Sequence, residues 1–146
     1  MQVRMKTPES IHDDLWAAAE TQWSARCYRD AVQRAAVVGF DRLLPTKLGV
    51  AKGSSASDPS NAFSEKDPVP GSPRLRFLAF EENTEDWRNA HEGARFLGMG
   101  CQKYIRNLTS HDTTELDVGV AMEEIAALSF FARLVTSAAV SKVGSA

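Results

Sequence analysis

The feature that most constrains the fold is an uninterrupted apolar repeat, at steps of three and four residues, from Trp87 to Leu108. Its members are Trp87, Ala90, Ala94, Leu97, Cys101, Tyr104 and Leu108. This spacing predicts a long helix that shows one apolar seam to a bundle core or to a partner helix. Thr84 is the predicted N-cap, because a threonine at that position and acids in the first turn, here Glu85 and Asp86, stabilise a helix start.

Three glycines, Gly93, Gly98 and Gly100, lie inside this predicted helix. Each costs about 1 kcal/mol relative to alanine in a helix interior. Two explanations stay open at this point. The glycines allow a close helix crossing, or the helix is slightly weak.

Two stretches before this helix show the same kind of periodicity. The first starts near Thr7-Pro8-Glu9, with Thr7 as N-cap, and runs toward Trp23. The second runs from about Ala25 to Leu44, and Pro45 is predicted to end it because proline interrupts helical hydrogen bonding.

A final helix is predicted from about Glu115 to Ser137, capped from residues 112–114. Its apolar positions are Val118, Ala121, Met122, Ile125, Leu128, Phe130, Phe131, Ala132, Leu134 and Val135. So broad a face implies burial on more than one side, as in a bundle interior or a dimer interface.

The composition changes to glycine, proline and serine over residues 46–73, which predicts a long irregular loop. Within it, Asp58 is a predicted cap for a short helical turn ending near Phe63. Residues 74–80 then form a short extended piece or a hairpin arm. The chain is therefore predicted to be one all-α domain over residues 1–140, a four- to five-helix bundle, followed by a disordered tail over 141–146.

Composition limits the partners and the compartment. The 146 residues suffice for one domain, and the net charge of −2 argues against a broad electrostatic footprint for nucleic acid. The N-terminal segment from Met1 to Lys6 is too polar for a signal peptide, and no apolar run is long enough to span a membrane. We therefore expect a cytoplasmic protein without a membrane partner. Cys27 and Cys101 are interpreted as buried small hydrophobes, with a disulfide between them as the alternative.

The residues that carry chemistry are Arg106, Asn107 and His111, at and just beyond the end of the long third helix. Histidine titrates near neutrality and can take a proton from an RNA 2′-hydroxyl or give one to the leaving 5′-oxygen. Arginine stays charged and can bind a phosphate in a bidentate manner. Asn107 can orient either the arginine or the histidine. This chemistry requires no metal and no cofactor, but as an isolated string Arg-x4-His also fits an ordinary helix terminus.

Other polar residues have simpler interpretations. Lys103, Gln102 and Ser110 are candidate substrate contacts beside the motif. His12 is predicted to be solvated, and His91 to lie on the helix surface or to help at a dimer site, with the surface position preferred. Tyr104 belongs to the apolar seam and is expected in the core rather than as a platform for RNA bases. No Cys/His cluster has zinc spacing, and the acidic pairs Asp13/Asp14 and Glu123/Glu124 are expected to be solvated charges.

Several segments together resemble the bacterial Ymh family over most of residues 9–138. They are Arg29–Val32, Asn61–Ser64 with Pro68, Glu92–Ala94, Gly100, Ile105–Asn107 with His111, Ala121–Glu124 and Leu128–Phe130. That family looks like a branch of the HEPN superfamily, whose signature is Arg-x4-6-His with a polar residue directly after the arginine. Asn107 matches that polar position, whereas Leu108 stands where the Ymh-like motif usually has proline.

The resemblance implies a helical bundle that dimerises, here through the third and fourth long helices, so that two motifs form one composite site. It also implies a metal-independent endoribonuclease of a toxin–antitoxin or phage-defence system, with an antitoxin or defence-system protein as a further partner. His111 would be the acid/base, Arg106 the phosphate clamp and Asn107 the orienting residue. The alternative is a catalytically inactive HEPN-like binding or dimerisation module, which the acidic net charge favours.

Overall fold

A computed structural model describes residues 10–111 and 113–144. The predicted start at Thr7-Pro8-Glu9 and the first of the predicted capping residues, Asp112, lie outside the described residues. Helix α1 comprises Asp13–Ser24, so the regular helix begins later than the sequence predicted. His12 is its N-cap, because the Nδ1 atom of its ring accepts from the Asp14 amide at 3.2 Å. His12 Nε2 also lies 3.1 Å from the Thr136 hydroxyl on the last helix, so this partly exposed histidine, predicted to be solvated, also links two helices.

The second helical stretch continues through Pro45. It consists of α2 (Tyr28–Val37), a wider π-helical segment π1 (Val38–Leu43) and α3 (Leu44–Leu48), and it ends at Gly49 with φ 71°. In an α-helix the proline ring clashes with the carbonyl four residues before it. A π turn widens the backbone by one residue, which relieves that clash and lets the helix run on. The prediction that Pro45 ends the helix was therefore wrong.

The third stretch starts where predicted, because the Thr84 hydroxyl accepts from the Trp87 amide at 3.2 Å. It consists of α5 (Glu85–Gly100) and a second wide segment, π2 (Cys101–Asn107). The short helix α4 (Pro59–Ala62) lies earlier, in the long loop. Helix α6 comprises Val118–Ser137, and its cap is Asp117, which accepts from two backbone amides, instead of a residue in 112–114.

The long loop carries short elements. A 3-10 turn spans Ser55–Ser57, and Asp58 caps α4 by accepting from the Ser60 amide at 2.9 Å, which confirms the predicted cap. Strand β1 (Arg74–Arg76) pairs antiparallel with β2 (Ala139–Ser141), so Ser141, the first residue of the predicted tail, lies in a strand. The sequence predicted an extended piece at β1 but gave it no partner.

The four long stretches form an all-α bundle around one core, to which every long helix contributes. Its largest fully buried side chains include Leu15, Val32, Leu44, Phe63, Ile125, Leu128 and Phe131. Gly98 lies at a close crossing, since a Cβ there would be 2.5 Å from the Phe131 ring and 2.8 Å from Pro59 Cβ. At Gly93 and Gly100 a Cβ would meet nothing within 4 Å. Across the described chain, every helix is too short or too polar to traverse a lipid bilayer.

Candidate active site

Arg106 lies on π2 and is paired with an acid from a different helix. Its guanidinium donates to Asp41 Oδ2 at 2.9 Å, and the two side chains keep only 28% and 19% of their surface exposed. Asp41 lies on π1, so the two wide turns of the bundle supply the two charges. Such turns recur at functional sites because the added residue redirects side chains away from the regular helical faces.

The turn after Arg106 is closed by hydroxyl groups. The buried Thr109 hydroxyl donates to the Ile105 carbonyl at 2.7 Å, and the Ser110 hydroxyl donates to the Asn107 carbonyl at 2.8 Å. The His111 amide adds a bond to the Leu108 carbonyl at 3.2 Å. These bonds fix a turn in which no proline is present. They also use the proton of Ser110, which leaves that hydroxyl able only to accept from a substrate.

Asn107 and His111 lie on this turn with exposed side chains. The structure therefore brings Arg106 and Asp41 together and presents His111 to solvent beyond the helix end. Among the described residues, no hydrogen bond joins Arg106 to His111. An exposed imidazole can exchange protons with a bound substrate, and a partly shielded guanidinium can hold an anion.

The carboxylate of Glu115 anchors the chain that follows the turn. Helix α2 has Cys27 as its N-cap without a capping side chain, so its first amides need another acceptor. Glu115 Oε1 accepts from the Arg29 amide at 2.7 Å and from the Leu116 amide at 2.9 Å. These amide bonds lower the pKa of Glu115. The Arg29 side chain in turn donates to the Thr114 carbonyl. The segment after His111 is thereby tied to the start of α2.

Of the remaining predicted contacts, Lys103 is exposed and Gln102 is half-buried. Gln102 lines a cleft of about 210 Å³ together with Asp41 and the loop around Ser55. Within the described residues, no group of three or more His, Cys, Asp or Glu side chains has a metal-binding arrangement.

The family described as "Protein of unknown function (Hypoth_ymh)" matches residues 9–135, which include the two helices that carry the site. The chain belongs to this family. No significant match is found among curated proteins or among solved structures.

In this Hypoth_ymh chain, the apolar seam of the third helix changes face at π2. Trp87, Ala94 and Cys101 are buried as predicted, but Tyr104 is 69% exposed and Leu108 is 50% exposed. Ile105 and Thr109 take the inward positions instead. The π turn inserts one residue into the repeat, so the interpretation of Tyr104 as a core residue was wrong. An exposed tyrosine thus lies two residues before Arg106.

His91 also departs from its predicted position. It is fully buried, not on the helix surface. Its Nδ1–H donates to the Trp87 carbonyl at 2.7 Å, and its Nε2 accepts from the Phe77 amide at 3.1 Å. Burial lowers its pKa. This histidine is neutral and joins the loop before α5 to that helix, so it belongs to the framework.

The two cysteines behave differently from each other in the Hypoth_ymh chain. Both are free thiols. Cys101 is buried as predicted, and burial raises its pKa to about 11. Cys27 is exposed at the start of α2, contrary to its prediction as a buried residue.

Asp41 is the functional candidate that sequence reasoning missed. It stands in the apolar run of the second helix, between Phe40 and Arg42 and close to Leu43 and Leu44. An acid beside the core-facing stripe of a helix is a signal that a cationic partner lies on a neighbouring helix.

Proposed function

We propose that this protein is a metal-independent endoribonuclease of HEPN type. The observation that carries the proposal is the position of His111 and Arg106 at one helix end. His111 is exposed on a turn that the Thr109 hydroxyl closes, and Arg106 lies just before that turn in a partly shielded ion pair with Asp41. The family match covers the whole of this segment and leaves the activity open. The chemistry of the side chains and the resemblance of the motif to the HEPN signature support the assignment.

In the proposed reaction, the RNA 2′-oxygen attacks the adjacent phosphorus and the bond from phosphorus to the 5′-oxygen breaks. One His111 accepts the proton of the 2′-hydroxyl, and a protonated imidazole returns a proton to the leaving 5′-oxygen. The products are a 2′,3′-cyclic phosphate and a free 5′-hydroxyl. Arg106 holds the phosphate oxygens as negative charge accumulates on them, and Asn107 orients the substrate. Asp41 positions the guanidinium of Arg106.

A pair of imidazoles is best supplied by two copies of the chain. The third helix carries an exposed row that runs into the motif, formed by Phe96, Gly100, Tyr104 and Leu108. An apolar groove of about 460 Å³ lies between α5 and α6, with Leu97, Phe130 and Leu134 in its walls. We propose that this face, from the third and fourth long helices, forms the homodimer and that two motifs share one substrate.

The proposed setting is a cytoplasmic toxin or phage-defence effector whose activity is restrained by an antitoxin or defence-system protein. The second candidate is a catalytically inactive binding or dimerisation module. The net charge of −2 and the partial neutralisation of Arg106 by Asp41 favour that alternative. RNA cleavage decides between the two.

The test compares His111→Ala and Arg106→Ala with the wild-type protein on structured and unstructured RNA. Each substitution is expected to lower the cleavage rate by about 100-fold or more, because each removes a group that acts in the transition state. Arg42→Ala is the matched control, since Arg42 is exposed on the same helical stretch as Asp41 and is expected to leave the rate unchanged.

Circular dichroism would show that the variants remain folded, and analysis of RNA ends would identify the 2′,3′-cyclic phosphate. Wild-type rates in either motif variant would overturn the assignment. A folded wild-type dimer that leaves every RNA intact would establish the non-catalytic module instead.

A further inference from the structure

A polar cleft opens beside the ion pair of the candidate active site. Its volume is about 210 Å³, and its walls come from Asp41 on π1, Gln102 on π2 and the loop over residues 53–58. This is several times the roughly 30 Å³ that a water molecule occupies and below the range of about 300–1,000 Å³ for drug-sized ligands. The cleft therefore has room for one small heterocycle.

The wall from the loop is held in place by its own hydrogen bonds. The Ser57 hydroxyl donates to the Ser54 carbonyl at 2.8 Å, and the Ser54 hydroxyl accepts from the Ala56 amide at 3.1 Å. The Asn61 amide group donates to the Ser55 carbonyl at 2.7 Å. These contacts shape the loop before any ligand arrives, which lowers the ordering cost of binding.

The groups that remain for a ligand are mainly acceptors. One oxygen of Asp41 is taken by Arg106, and one oxygen of Asp58 accepts from the Ser60 amide and hydroxyl. Within residues 10–111 and 113–144, no hydrogen bond occupies the second oxygen of either carboxylate, the Gln102 amide group or the Ser55 hydroxyl. Two carboxylates disfavour a phosphate in the cleft and favour a ligand that carries N–H donors.

We propose that this cleft is a nucleobase subsite for a base with an exocyclic amino group, that is adenine, cytosine or guanine. The proposal rests on the proposed ribonuclease function, in which Arg106 holds the neighbouring phosphate. Asp41 touches both sites, so a base in the cleft lies next to the phosphate at Arg106. Gln102 supplies one donor and one acceptor, which is the pattern that reads the edge of an unstacked base. Uracil has no exocyclic amino group and offers only its ring N3–H, so at most one of the two carboxylates receives a donor from it.

The first test maps cleavage of uridine tracts that contain a single adenosine, cytidine or guanosine. Wild-type protein is expected to cut beside the inserted nucleotide in preference to the uridines. Gln102→Ala and Ser55→Ala are expected to reduce that preference by about tenfold. Gln22→Ala and Ser24→Ala on α1 are the matched controls. Cleavage by Gln102→Ala with an unchanged base preference would overturn the subsite and leave the proposed function standing.

The second test separates this inference from the activity. Adenosine, cytidine and uridine are added to isotope-labelled His111→Ala protein, and the backbone amide signals of residues 53–55 and 102 are followed by NMR. Adenosine or cytidine is expected to shift those signals at concentrations at which uridine does not. If wild-type protein cleaves no RNA, this result still supports a base-binding site while the nuclease function fails. Equal shifts with all three nucleosides, or none, would overturn the inference.

Discussion

At the scale of single residues, His91 shows how burial fixes a protonation state. Both ring nitrogens are engaged, one as donor to Trp87 and one as acceptor from Phe77. A second ring proton would point at the Phe77 N–H and would place a charge in the core. The imidazole is therefore held neutral, and its pKa lies below the ordinary 6.5, chiefly through desolvation.

This neutral histidine makes stability depend on pH. As the pH falls below about 6.5, the unfolded chain takes up a proton at His91 while the folded chain does not, so the free energy of unfolding decreases. The stabilisation that the neutral His91 contributes is complete above pH 6.5 and is lost as the pH falls toward the lower pKa of His91 in the folded protein. We expect the urea midpoint of wild-type protein to fall between pH 7.5 and pH 5.5 by more than that of His91→Gln.

The comparison isolates His91, because the other titrating groups are common to both proteins. His91→Gln is expected to be less stable than wild type at pH 7.5, since glutamine does not reproduce both ring contacts. Equal losses of midpoint in the two proteins would contradict a buried neutral histidine.

At the scale of elements, the two π segments explain why the predictions for Pro45 and Tyr104 failed. Periodicity analysis assumes 3.6 residues per turn throughout a helix. Up to Cys101 the third helix keeps that spacing: Trp87, Ala94 and Cys101 are buried as predicted, and Ala90 and Leu97 are half-buried. Beyond that point the wider π turn adds a residue, so Ile105 lies on the core face and Tyr104 is exposed. The helix starts marked by Thr84 and Asp58 were predictable because capping depends on adjacent residues alone.

The same reasoning applies to the candidate site. Arg106, Asn107 and His111 were recognisable because they lie within six consecutive positions and match a family motif. Asp41 pairs with Arg106 across 65 positions of sequence, and Glu115 reaches Arg29 across 86. Such pairings are set by how the helices pack, which a local pattern does not encode. The strand partner of β1 was missed for the same reason.

The helix crossing at Gly98 gives a test at this scale. A methyl group there would lie 2.5 Å from the Phe131 ring and 2.8 Å from Pro59, both of which are buried. Gly98→Ala is therefore expected to lower the free energy of unfolding by about 1–3 kcal/mol, although alanine is the better helix former. Urea denaturation measures the change.

Gly39→Ala is the matched control for Gly98→Ala. Gly39 lies in π1, and a Cβ there meets nothing within 4 Å. The added methyl is expected to be neutral or to stabilise the protein by up to about 1 kcal/mol. Destabilisation by Gly39→Ala as large as that by Gly98→Ala would show that the close crossing is not the cause.

At the scale of the whole molecule, charge and shape both bear on the proposed dimer. A chain of net charge −2 attracts RNA weakly, and Asp41 offsets part of the charge of Arg106. Two motifs brought together would concentrate two arginines and two histidines at one substrate. Tyr104 and Leu108 flank Arg106 on the same stretch of helix, so a second copy that covers them brings its own motif alongside.

The last prediction tests that arrangement. Tyr104→Glu places a charge on the proposed interface beside the motif and is expected to shift sedimentation from dimer to monomer and to reduce RNA cleavage in parallel. Val69→Glu is the control, because Val69 is 51% exposed on the long loop and is not on the helices that form that face. Since a side chain that is 69% exposed contributes little to the core, Tyr104→Glu is expected to keep the wild-type urea midpoint measured on monomer. A variant that remains dimeric with full activity would place the dimer interface elsewhere. A variant that becomes monomeric yet cleaves at the wild-type rate would show that one motif suffices and that the composite site is wrong.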